Sequence, residues 1–178
     1  MKHLCILSSA AIILAFSSCG ISNDKNQTNA SSTHSSDTVV HEDTLEKGLF
    51  AKISINDVVT ADEPVELTFT VYNRADTAQR FCKWHTPFEP FISKYLEIKS
   101  ASGEEVNYKG AMAKRVMPPP ADSYIEVKSK DSVTARVDLL KGYDFIDSGE
   151  YTIIYTGQNM SGLIVTDSVA FTYNGRQQ

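Results

Sequence analysis

The segment Val65-Glu66-Leu67-Thr68-Phe69-Thr70-Val71-Tyr72 alternates apolar and polar side chains without a break through Val71. Successive side chains of an extended chain point to opposite faces. Val65, Leu67, Phe69 and Val71 therefore share one face, and the polar residues share the other. That pattern predicts a half-buried strand. Leu49–Ile55 reads as a first strand. Arg80–Trp84, Tyr95–Ile98, Val106–Tyr108, Tyr124–Lys128, Val133–Leu139, Tyr151–Tyr155 and Ser168–Tyr173 read as others. Turn residues separate them, among them Asp62-Glu63-Pro64, Asn73-Arg74-Ala75-Asp76, Ser102-Gly103 and Asp147-Ser148-Gly149. No window from 45 to 178 sustains a helical stripe over three turns. The prediction is an all-β fold, an antiparallel immunoglobulin-like β-sandwich, with a closed barrel as the alternative. Immunoglobulin-like domains carry a tyrosine whose hydroxyl bonds back to the chain near a strand start, and either Tyr143 or Tyr151 suits that place.

The first residues carry a different pattern. Lys2 and His3 precede a mainly apolar run from Leu4 to Phe16, and Ser17 and Ser18 lead into Cys19 and Gly20. Basic, apolar and small-residue regions in this order make a signal peptide over residues 1–18. The apolar run is short for a membrane-spanning helix. Phe16-Ser17-Ser18-Cys19 looks like a bacterial lipobox, which makes Cys19 the expected lipidation site and new N-terminus. A plain secretory signal with an incidental cysteine is the alternative. Acyl chains on Cys19 would then attach the protein to a membrane. Gly20, where an aspartate would signal inner-membrane retention, favours the outer membrane.

Residues 19–44 form a second region. From Gly20 onward it is rich in serine, threonine, asparagine and aspartate and has almost no large apolar side chain. Such a segment cannot bury enough surface to offset its ordering entropy, so a disordered tether is expected. A coil of this length reaches about 25–30 Å. His34 and His41 lie here without a cysteine nearby and read as solvated. Residues 45–178 have the size of one domain.

Charge excludes some functions. Removing residues 1–18 takes Lys2 and no acid, leaving 16 basic and 22 acidic side chains and a net charge of −6. A nucleic-acid binder needs a basic face, so none is expected here. Cys82 would be the only cysteine left besides Cys19, so no disulfide forms within the mature chain. Beside Phe81 and Trp84 it reads as a small buried hydrophobe.

Catalytic patterns are sparse. His85 is the one histidine of the domain, and a zinc site needs three or four convergent ligands. The sequence holds no HExxH, no GxSxG and no glycine-rich phosphate loop. No catalytic residue, metal or cofactor is expected.

The most distinctive stretch is Phe81–Phe91, FCKWHTPFEPF, with the single tryptophan, three phenylalanines and two prolines. Pro87 and Pro90 break a regular central strand. The aromatics read either as a recognition patch or as a lid with Trp84, Phe88 and Phe91 turned inward. A second irregular stretch, Lys114-Arg115-Val116-Met117-Pro118-Pro119-Pro120, favours an extended conformation open to contact. Trp84, His85, Phe88, Lys114 and Arg115 are the candidate binding surface.

These stretches also carry a resemblance. Trp84-His85-Thr86-Pro87, Phe91, Leu96-Glu97-Ile98, Tyr108-Lys109-Gly110 and Ala113-Lys114-Arg115 stand in a characteristic order. Pro118, Asp122-Ser123-Tyr124, Asp138-Leu139 and Gly142-Tyr143-Asp144 continue it. The chain from about residue 50 to 156 resembles the β-sandwich domain preceding the catalytic domain of bacterial deuterolysin-type (aspzincin) metalloendopeptidases, including lysine-specific members. The resemblance implies a fold and a partner type. The family's HExxH and metal-binding aspartate have no counterpart through Gln178, so it implies no peptidase activity. The expected function is a membrane-tethered, non-catalytic binding or accessory lipoprotein. The alternatives are a lipoprotein that regulates a peptidase, and an enzyme with an unrecognised site.

Overall fold

The computed structural model describes residues 48–175. The expected signal peptide (1–18), Cys19, the tether (19–44) and residues 45–47 lie outside the described residues.

In chain order the strands are β1 (Leu49–Ser54), β2 (Val58–Thr60), β3 (Glu66–Asn73), β4 (Gln79–Cys82), β5 (Leu96–Ser100), β6 (Tyr124–Val127), β7 (Ser132–Asp138), β8 (Gly149–Tyr155) and β9 (Val169–Asn174). One sheet has the order β1-β3-β7 and the other β2-β9-β8-β5; β4 and β6 pair as a separate ribbon. The alternation that predicted β3 places Leu67, Phe69 and Val71 at zero exposure, with Val65 before them equally buried. Leu96, Ile98 and Ile153 from the second sheet are as deeply buried and complete the core with them. The fold is the expected all-β sandwich.

Three details differ from the sequence reading. β2 was not expected, and it runs parallel to β9 over three residues. Val106–Tyr108 is not a strand. Its chain follows β5 for two ladder bonds, Ser100 N–H to Glu104 O and Val106 N–H to Ile98 O. It then leaves that edge to bridge Tyr143 through Tyr108. β4 stops at Cys82 because the chain turns at Trp84 towards Pro87 and Pro90.

Asn73 carries the inward alternation of β3 one step further, with 1% exposure. Its amide nitrogen lies 2.9–3.0 Å from the carbonyls of Thr77, Val127 and Lys128, and its oxygen accepts from Ala75 N–H. A buried amide with every polar atom paired is a stable way to pin the turn after a strand.

The two tyrosine candidates separate clearly. Tyr151 Oη donates to Asp147 O at 2.7 Å, four residues upstream, which is the corner arrangement. Tyr143 Oη instead reaches Leu96 O at 3.0 Å, across 47 residues. Tyr151→Phe keeps the ring and removes the corner bond. We expect a loss of about 1 kcal/mol, read as a lower urea midpoint at unchanged slope. An unchanged midpoint would show that the corner bond is energetically idle.

Candidate functional site: an aromatic lid and the loop it carries

The chain leaving β4 folds into a compact lid over Lys83–Ser93. Lys83 N–H bonds Ser123 O, fixing the start of the lid on the segment entering β6. Thr86, fully buried, donates its hydroxyl to Lys83 O at 2.6 Å and accepts from Phe88 N–H at 3.2 Å. Glu89 N–H returns to Thr86 O. One threonine thus supplies turn bonds that a regular strand would otherwise make.

The aromatic residues turn inward. Trp84 is 5% exposed. Phe88 is half-buried and meets Phe81 and Phe69 edge-on, at centroid separations of 5.3 and 6.3 Å. Phe91 packs on Tyr95 and Tyr143. These side chains close the sandwich as a lid. Of the five candidate surface residues, Trp84 and Phe88 face the interior, His85 is half-buried, Arg115 is largely covered and Lys114 is exposed.

Trp84 and Arg115 do meet, although 31 positions separate them. The Arg115 guanidinium lies 4.7 Å from the Trp84 ring centroid. The same group pairs with Glu89 through both terminal nitrogens and lies 3.4 Å from Ser93 Oγ. A cation over an aromatic ring that also forks onto a carboxylate is something arginine does and lysine does not. The sequence reading gives Glu89 and Ser93 no role, and Thr86 enters it only within the Trp84-His85-Thr86-Pro87 run. Glu89 stands within FCKWHTPFEPF, but no local signal reveals its distant partner.

The lid is tied to the far end of β8. Tyr155 Oη donates to His85 O at 3.0 Å and lies 2.7 Å from Ser161 Oγ, on a single helical turn, Gln158–Ser161. A Cβ at Gly157 would sit 2.2 Å from His85 O, so only glycine permits this approach. His85 and Phe91 hold φ values of 57° and 55°, in the left-handed region. For residues other than glycine this costs on the order of 1–3 kcal/mol each, which the packing around them sustains. Cys82 is free and buried beside this junction.

Burial, and then the Arg115 guanidinium, hold the His85 imidazole below its ordinary 6.5; Glu89 opposes them more weakly. The unfolded chain therefore binds a proton where the folded chain does not. Stability from this source is complete above pH 6.5 and is lost as pH falls below it towards the depressed folded value. His85→Gln is expected to flatten that decline, measured by urea unfolding at about pH 7.5 and about pH 5.5. An unaltered decline would assign it to other groups.

Beyond the lid, the chain from Gly110 to Pro120 has no regular structure. Its first half is nevertheless fixed. Ala111 N–H bonds Phe91 O, Ala113 N–H bonds Ile92 O, and Tyr108 Oη donates to Ala111 O. Arg115 is held as described. Met112, Val116 and Met117 are 72%, 79% and 63% exposed. Among the described residues, no group of three histidine, cysteine or acidic side chains is placed to hold a metal ion.

Two packed sheets, antiparallel but for the short β2–β9 pair, with a tyrosine corner at the start of β8, define an immunoglobulin-like module. The chain belongs to the immunoglobulin-like domain family, whose model matches residues 52–161. An uncharacterized secreted protein of Arthroderma benhamiae is 31% identical over 109 residues, covering 58% of this chain and 56% of that protein. An extracellular protease of Aeromonas hydrophila is 31% identical over 108 residues, covering 61% of this chain and 30% of the protease. The chain thus matches about half of one relative and under a third of the other. Among solved structures, the CARDB domain of a Pyrococcus furiosus protein aligns over 72% of this chain and 94% of its own, at 12% identity and a TM-score of 0.35.

Proposed function

We propose that this protein is a lipid-anchored lipoprotein of the bacterial envelope whose immunoglobulin-like sandwich is a non-catalytic accessory module for binding another protein. One observation carries the reading. The stretch similar to this chain covers only 30% of an extracellular protease, so in that relative the matching sequence stands beside a larger remainder. The resemblance of residues 50–156 to the leading domain of deuterolysin-type peptidases supports the same role. The lipobox-like run ending at Cys19 supports tethering, and Gly20 supports the outer membrane. The secreted and extracellular relatives agree with export.

A second reading follows from the protease relative: the module engages a peptidase and regulates it. Co-purification of the full chain from detergent-solubilised membranes distinguishes the two. A stoichiometric peptidase partner favours regulation; a stoichiometric partner without peptidase activity favours a general accessory role. Hydrolysis by the purified chain, abolished by a single substitution, would overturn both. Cys19→Ser is expected to move the protein from the detergent phase to the aqueous phase, and equal partitioning of both forms would remove the anchor.

A further inference from the structure

The exposed face next to the lid is the outer edge of residues 112–117. Ala111 and Ala113, two residues apart, commit their N–H groups inward to the carbonyls of Phe91 and Ile92. Met112, between them, makes no such bond. Among the described residues, the backbone N–H and C=O groups of Met112 and Lys114 have no hydrogen-bond partner. Met112 and Val116 are among the most exposed large apolar side chains described, and Lys114 lies between them, exposed and without an ion-pair partner among the described residues. Arg115 cannot join this face, because Glu89 and Trp84 hold it. The result is a short open edge tied to the lid at Ala111 and Ala113: backbone groups and a lysine cation without partners among the described residues, with apolar side chains at the alternate positions on either side of Lys114.

We infer that this edge binds an extended peptide segment of a partner protein, one carrying a carboxylate flanked by apolar side chains at alternate positions. Backbone pairing supplies affinity in such strand addition, and alternate side chains supply the choice of sequence. The carboxylate faces Lys114, and the flanking apolar groups cover Met112 and Val116. Pro118, Pro119 and Pro120 carry no N–H, so the pairing ends there and the recognised segment is short. This inference rests on the accessory-module reading and names the surface and partner chemistry within it.

The test probes the full chain, in detergent, against an array of synthetic peptides. Some alternate valine with glutamate, and matched peptides carry glutamine or lysine in place of glutamate. Binding is expected for the glutamate peptides. N-methylation of their alternate backbone nitrogens should abolish it. Lys114→Glu should weaken it on the order of tenfold or more and transfer preference to the lysine peptides. Met112→Ser with Val116→Ser should weaken all peptides together. These positions are exposed, so the thermal midpoint should stay unchanged and report that the variants fold. No preference for glutamate, or a preference that Lys114→Glu leaves intact, overturns the inference. So does loss of binding to phosphatidylcholine vesicles in the Met112/Val116 variant with no change on peptides, which would assign the edge to lipid. A partner co-purified equally by wild type and all three substitutions would overturn the edge while leaving the accessory role standing.

Discussion

Replacing Arg115 with alanine is expected to destabilise the domain by about 3 kcal/mol. The side chains of Arg115 and Glu89 are only 16% and 17% exposed. Alanine at position 115 removes the cation and leaves the Glu89 carboxylate in a site that water reaches poorly. It also uncovers the Trp84 ring. Breaking such a pair from one side costs far more than the pair contributes by itself, because the surviving charge is left without a partner. Glu89→Ala should be similarly costly for the converse reason. The double variant should lose less than the two singles together, and that coupling is the signature of a direct interaction. Arg115→Lys separates the two halves of the role. It retains charge but loses the fork and the delocalised guanidinium over Trp84, so it should recover only part of the loss. Urea unfolding of wild type, these four variants and Lys114→Ala is the measurement. Additive losses, or an Arg115→Ala loss no larger than that of exposed Lys114→Ala, would show that the cluster does not hold the lid.

This cluster marks where sequence reasoning ran out. The sandwich was legible because strand burial repeats every two residues: Leu67, Phe69 and Val71 announce their face by spacing alone. The corner is narrowed to Tyr143 or Tyr151 because both flank the Asp147-Ser148-Gly149 turn that opens a strand, and the choice between them needs three dimensions. β2 was invisible because three residues give too little pattern, and because its partner, β9, lies more than a hundred positions away. The lid was visible only as composition. FCKWHTPFEPF signals that something irregular and aromatic occurs there. The left-handed turns fall at His85 and Phe91, where no glycine or asparagine marks them, and Thr86 supplies the bonds that shape the turn. Trp84 and Arg115 belong to the five residues read as a candidate binding surface, and the Arg115 guanidinium lies 4.7 Å from the Trp84 ring centroid. The sequence could not say that Arg115 covers the tryptophan and is neutralised by Glu89. That arrangement leaves Lys114, Met112 and Val116 as the outward residues.

Phe88→Ala distinguishes the two roles considered for the aromatic stretch. A contact residue on a free surface would tolerate alanine with little change in stability. Phe88 instead meets Phe81 and Phe69 edge-on, and Phe69 is fully buried at the centre of β3. Truncation removes the ring that bridges lid and core and leaves a void the tied backbone cannot close. Thr86 holds residues 83–89 at three points, and Tyr155 anchors His85. We expect a loss of about 3 kcal/mol, at the lower end of the range for core phenylalanines because Phe88 is only half-buried. Phe88→Leu should recover roughly half of it by refilling the void. The aromatic envelope in near-ultraviolet circular dichroism should change as the Phe81 and Phe69 rings lose their neighbour. Peptide binding at the 112–117 edge should persist below the unfolding transition, since that edge is fixed through Phe91, Ile92 and Arg115 rather than through Phe88. A stability loss below about 1 kcal/mol, accompanied by loss of binding, would return Phe88 to the surface and make the lid itself the recognition site.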